Sequence, residues 1–359
     1  MTTVSTSASP KQFSAGIYGG SGYVGLELIR LLLLHPGVSL KTVTSREHAG
    51  KKLSEVHRSL SGLTNAVFSK PDQDFEELDV LFLSVPHTQS APAVKRLSLT
   101  TRFEKGALKV IDLGADFRLP PPFFSKFCGA EHPCPELIER AIYGVPEINR
   151  CDIPAAQLVA NPGCFANCTT LALTPLTRYF AKSNVPAFDA RVSAITGSSG
   201  SGITATSKTH HPERNESLSA YEVLTHRHIP EIEQALSLAS KGRTQAHIKL
   251  VPHSGPFSRG IFATIFVELP DPTLDVVALY EEFATENQFI RLRASSPRLI
   301  DVRGSNFCDL SIHQQGKELV ILSTLDNLVK GAAGNALQNM NLMTGWPEQT
   351  GLLSSALVP

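Results

Sequence analysis

Short apolar runs separated by turn residues and amphipathic stretches dominate the first half of the chain. Residues 13–18 make an apolar run of strand length, and the residues after Gly22 carry the apolar spacing of an amphipathic helix. Residues 38–44 read as a second strand, and residues 80–85 and 109–114 as continuous apolar strands of the kind buried in parallel sheets. Residues 158–161 look like the last strand of this half. The alternation predicts an α/β fold with a Rossmann dinucleotide-binding domain over residues 13–163. Beyond residue 164 the texture changes. Residues 192–196, 247–252, 261–269 and 318–324 are strand-like without short helical crossovers. They predict an α+β catalytic and dimerisation domain over residues 164–325 on an antiparallel or mixed sheet. From Asp326 a long helix with small residues at its start is expected to return, so that residues 326–359 complete the first domain. Residues 1–12 are Ser/Thr-rich without an apolar core and read as a disordered tail rather than a targeting segment.

The first strand runs into Gly19, Ser21, Gly22, Tyr23, Val24 and Gly25. Gly19 and Gly22 let backbone approach a pyrophosphate resting on the helix N-terminus, and Gly25 lets the helix pack close on the strand. An ordinary tight strand-to-helix turn is the plainer reading, and the strand-loop-helix setting favours the dinucleotide. Ser45 and Arg46 follow the second strand where an NAD enzyme carries an acidic residue, so they favour the 2′-phosphate of NADP. Lys51 and Lys52 are possible helpers. Glu47 takes the ribose role instead if the strand ends one residue later. Ser84 and Pro86 close another strand, at the edge where a doubly wound sheet meets its ligand.

Cys164 directly follows a Pro-Gly corner and precedes a helix-compatible run. Unpaired N–H groups at a helix start favour thiolate, the nucleophilic form; the alternative is a small buried apolar residue. His226 and His228, close to Glu231, offer an acid-base group near neutrality. Side chains two apart share one face of a strand but not of a helix, so spacing leaves open which histidine meets the thiol. Arg118 and Arg259 suit a substrate phosphate or carboxylate, with structural ion pairing as the competing reading. Ser199 and Gly200 lie in a Gly/Ser loop offering backbone donors, or simply a flexible turn. Adjacent His210 and His211 lack metal-type spacing, so no metal is expected. Cys168, one turn beyond Cys164, reads as core, with oxidative pairing left open.

Formal charge is zero and apolar content 42%, which implies no nucleic-acid or membrane partner. No apolar run approaches the ~20 residues of a membrane span. The six cysteines form no framework, and a cytoplasmic setting with reduced thiols fits them.

Segments along nearly the whole chain carry a family resemblance. They are the glycine loop with Leu26-Glu27-Leu28, Asp112-Leu113-Gly114-Ala115-Asp116-Phe117-Arg118, Tyr143-Gly144-Val145-Pro146-Glu147, Asn161-Pro162-Gly163-Cys164, His226-Arg227-His228-Ile229-Pro230-Glu231 and Val329-Lys330-Gly331-Ala332-Ala333-Gly334-Asn335. The chain thereby resembles the N-acetyl-γ-glutamyl-phosphate reductases of arginine biosynthesis, within the aspartate-semialdehyde dehydrogenase superfamily. Two departures stand out: Phe165-Ala166-Asn167 replaces the usual Tyr-Pro-Thr, and Gly114 a common Ser. The resemblance implies NADPH-dependent reduction of a small-molecule acyl phosphate through a Cys164 thioester, with His228 as base and His226 beside it. It further implies Asn335 at the cofactor, Asn161 toward the substrate, Glu231 as orienter of the histidine or substrate contact, and a homodimer or homotetramer. A sister reductase of aspartyl or another N-blocked acyl phosphate is the enzyme alternative. A non-catalytic NADP-binding sensor is the alternative of another class, against which Cys164 and the histidine pair speak.

Overall fold

The computed structural model describes residues 12–72, 75–207 and 209–358. The expectation for the head therefore falls almost wholly on residues outside the described ones. Six parallel strands build the first sheet: β1 Phe13–Tyr18, β2 Val38–Val43, β3 Val80–Leu83, β4 Lys109–Asp112, β5 Ala141–Tyr143 and β6 Leu158–Ala160. Their order is β2-β1-β3-β4-β6-β5. The strand order reverses between β1 and β3, which opens a crevice at their carboxyl ends. The helix Tyr23–Leu34 returns against β1, burying Leu28, Ile29 and Leu32 with Ile17 and Val80. Each such aliphatic side chain contributes about 1.5–3 kcal/mol by leaving water.

The second sheet has seven strands. They are β7 Ala187–Thr196, β8 Ser219–Ala220, β9 Gln245–Ser254, β10 Ile261–Glu268, β11 Ile290–Leu292, β12 Cys308–Gln315 and β13 Glu318–Leu325. Its order is β11-β12-β13-β10-β7-β9-β8, mixed because β7–β9 and β11–β12 run parallel among antiparallel neighbours. Alternate residues of β7, β9 and β10 are buried, as a half-covered sheet demands. Three helices cover that face: the cysteine helix Cys164–Lys182, the histidine helix His228–Ala239, and Val276–Glu286. The cysteine helix thus leaves β6 of the first sheet but packs into the core of the second. The chain then turns back. After a π-helical turn Val329–Ala333, the C-terminal helix Gly334–Thr344 buries Ala336, Leu337 and Met340 against the first sheet's core.

Candidate active site

Cys164 is the first residue of its helix, with Gly163 in extended conformation as N-cap and no side-chain cap. Its thiol is half-buried. Burial pushes the thiol above its ordinary pKa, against the opposing pull of the Phe165 amide, Arg118 and Arg227. The expectation of a resting thiolate therefore needs correction: a first-turn amide does not outweigh desolvation, and a base is required. His228 opens the histidine helix, which packs beside the cysteine helix. Its ring lies so close to Gly163 that a Cβ there would sit 2.2 Å from Nε2. Burial, then His226 and Arg227, holds the imidazole well below its usual pKa, so it stays neutral near pH 7 and able to accept a proton. Its Nδ1 is buried without a hydrogen-bond partner among the described residues.

His226 stands behind rather than in front. Its Nδ1 accepts the His228 backbone N–H at 3.2 Å, and the two rings meet edge to face at 4.7 Å. Glu231 fixes the corner. Its Oε1 accepts from the Gly163 amide at 2.7 Å and the Tyr143 hydroxyl at 2.8 Å, while Oε2 faces Arg118 at 3.5 Å and His228 at 3.9 Å. Arg118 also donates to the Leu113 carbonyl at 2.9 Å.

One cleft of about 310 Å³ joins these groups to the glycine loop, with Gly22, Ser84, Pro86, Ser199 and Gly200 on its walls. The loop fits a dinucleotide on its own geometry. Gly19 has φ +90°, and a Cβ there would meet the Ser84 carbonyl at 2.6 Å. A Cβ on Gly25 would strike the Gly20 backbone at 2.6 Å, whereas Gly22 faces open space. The first-turn amides of Tyr23, Val24 and Gly25 have no intrahelical acceptor and no capping side chain, which leaves donors and dipole for an anion. Thr44 braces the loop by accepting from Gly19 and Gly20. Strand β2 stops at Val43, so the condition that would hand the ribose to Glu47 is not met. Ser45 is buried and accepts from the His48 amide, and Arg46 is exposed just beyond it.

Other expected site residues lie elsewhere. Arg259 is held by Asp326 at 3.0 Å and Glu27 at 2.6 Å, outside the cysteine cleft, and the structural ion pair prevails over substrate contact. Asn335 is fully buried, donating to the Gly144 carbonyl and to Asn161 Oδ1, so its side chain supports the corner from behind instead of touching a cofactor. Asn161 likewise turns its amide inward, to the Ala332 carbonyl, although the residue borders the cleft. Cys168 is buried against Ser323, as a core residue. His210 and His211 are exposed. Sequence reading gave no role to Arg227 and placed His87 only at the ligand edge of its strand; both line the cleft. Arg227 was masked by the flanking histidines, and His87 was signalled only by its place after a strand.

A dinucleotide loop and a thiol–imidazole pair facing one cleft define a dehydrogenase with covalent chemistry. Residues 14–156 match the semialdehyde dehydrogenase NAD-binding domain, and residues 164–327 its dimerisation domain. N-acetyl-gamma-glutamyl-phosphate reductases of Dehalococcoides mccartyi and Nitrosomonas europaea are 41% and 42% identical, over 97% and 96% of this chain and 100% and 99% of theirs. That of Methanoregula boonei is 40% identical over 96% of this chain and 99% of its own. Aspartate semialdehyde dehydrogenase II from Vibrio cholerae shares the fold with a TM-score of 0.70 at 16% identity, covering 93% of this chain and 99% of its own. The chain belongs to the N-acetyl-γ-glutamyl-phosphate reductase family.

Proposed function

We infer that this chain reduces N-acetyl-γ-glutamyl phosphate to N-acetyl-glutamate semialdehyde, with NADPH as reductant and release of phosphate, as a step of arginine biosynthesis. One observation carries the chemistry: Cys164, raised in pKa at a helix start, shares its cleft with a neutral His228 and the glycine loop. His228 removes the thiol proton, and the thiolate attacks the acyl carbonyl. The tetrahedral adduct expels phosphate, whose departing oxygen takes the proton from His228, and a thioester remains on Cys164. The glycine loop and Arg46 would hold NADPH, which when bound would supply the hydride that reduces the thioester carbonyl. The resulting thiohemiacetal collapses to aldehyde and expels the Cys164 thiolate, which regains a proton through His228. Arg118, anchored by Glu231 and Leu113, balances charge on the leaving phosphate. His226 keeps the His228 ring in place.

The match to a dimerisation domain and the open outer face of the second sheet, where Phe266 is 42% exposed, support a homodimer or homotetramer. No helix among the described residues is long and apolar enough to cross a membrane, which accords with a cytoplasmic enzyme.

Rapid-quench labelling with the acyl phosphate tests the mechanism. Cys164→Ser is expected to abolish covalent capture and lower turnover by orders of magnitude while NADPH still binds. His228→Asn is expected to lose roughly 10²–10⁴ in neutral-pH turnover yet recover capture at alkaline pH, where the thiol ionises unaided. Full activity in Cys164→Ser would overturn covalent catalysis.

A further inference from the structure

Behind the cysteine cleft lies a second cavity of about 260 Å³. The two share His87, Arg118 and Arg227, and the second continues between Ala115, Phe124 and Phe127. Its far wall is mainly apolar. Three of the charged groups around it are already engaged. Arg118 is held by Glu231 and the Leu113 carbonyl, and Asp116 accepts from the Thr88 and Ala91 amides. Glu231 is occupied by Gly163 and Tyr143. His87 is neutral near pH 7, its pKa lowered to about 4 by burial, Arg227 and Arg118.

Arg227 is different. It makes no hydrogen bond or ion pair among the described residues, yet it lines both cavities, and its charge acts on Cys164 on one side and Cys128 on the other. A guanidinium that faces both cavities and is held by no described carboxylate or carbonyl has its donors open to an anion that arrives with the ligand. The substrate inferred above carries two anionic ends. Its phosphate leaves from the carbon that Cys164 attacks, where Arg118 is anchored. Its α-carboxylate sits a short aliphatic tether away, beside the acetamido group.

We propose that Arg227 is the specificity residue that binds the substrate's α-carboxylate, seating the N-acyl group in the apolar second cavity. The assignment rests on the functional reading above. A planar fork matches a carboxylate with two parallel hydrogen bonds, which a lysine reproduces only in part. The uncharged acyl methyl then meets Phe124 and Phe127 instead of water.

The test is steady-state kinetics of wild type, Arg227→Met and Arg227→Lys on two substrates. One is N-acetyl-γ-glutamyl phosphate; the other is the analogue in which hydrogen replaces the α-carboxylate. NADPH affinity measured in parallel shows that each variant keeps its fold. Arg227→Met is expected to raise KM for the natural substrate about 10- to 100-fold. Its effect through Cys164 and His228 is common to both substrates, so kcat/KM for the analogue is expected to fall at least about 10-fold less than for the natural substrate, and Arg227→Lys to recover part of that difference. Equal losses on both substrates, or a fall in kcat at constant KM, would overturn the assignment while the functional reading stands. Absence of wild-type turnover on the natural substrate would overturn both.

Discussion

At the scale of single residues, the site depends on keeping histidines uncharged. Burial and Arg227 lower His226 to about 4, against about 6.5 in an unfolded chain. Between those values the unfolded form binds more protons than the folded one, so stability from this group is complete above about pH 6.5 and is lost as pH falls toward 4. The contribution over the full interval is on the order of 3–4 kcal/mol, at about 1.4 kcal/mol per unit of pKa. Asp112, raised to about 7 by burial and Asp116, slopes the other way and is common to wild type and variant. Urea unfolding at pH 7.5 and 4.5 is therefore expected to show a smaller acid loss in His226→Gln than in wild type. Parallel losses would mean that His226 is not held neutral. Gln is the suitable probe because its carbonyl can still accept the His228 amide.

At the scale of elements, the sequence carried the periodic segments and missed the irregular ones. Strand β1 matches its expected bounds, and β2 and β3 stop one and two residues early, where the chain leaves the ladder for the ligand loops. Strand β5 was passed over because three residues between proline-rich breaks give no period, and β12 because polar Asp309 and Ser311, both buried, alternate with its apolar residues. The cysteine helix was legible at its start from the Pro-Gly corner. Its partner groups were not, since Glu231, Tyr143 and Gly163 converge from segments far apart in the chain. The π-helical turn was equally hidden, although it packs on the nucleophile. A Cβ on Gly331 would lie 2.9 Å from the Cys164 Cβ, and real side chains do not approach so closely. Gly331→Ala is expected to cost about 1–3 kcal/mol of stability and to slow turnover at least 10-fold by displacing the thiol. Rates of Cys164 alkylation and kcat measured together check this, and an unchanged kcat would sink it.

At the scale of the whole molecule, Arg259 fastens the two halves. Its guanidinium joins Glu27 on the first helix to Asp326, whose carboxylate also accepts the Gly304, Leu328 and Val329 amides. Asp326 is fully buried, so Arg259→Met leaves that charge without its cation and is expected to destabilise by about 3 kcal/mol in chemical denaturation. A loss below about 0.5 kcal/mol would place the pair among screened surface contacts. The mounting of Cys164 and His228 on adjacent helices of one core has a kinetic corollary. Their separation is set within a single rigid layer, whereas the glycine loop belongs to the other half. A parting of the halves after acylation withdraws the glycine loop and stalls the hydride step. The enzyme then halts while carrying its acyl group, exposed to water, and the fastener at Arg259 guards the yield of aldehyde per phosphate released.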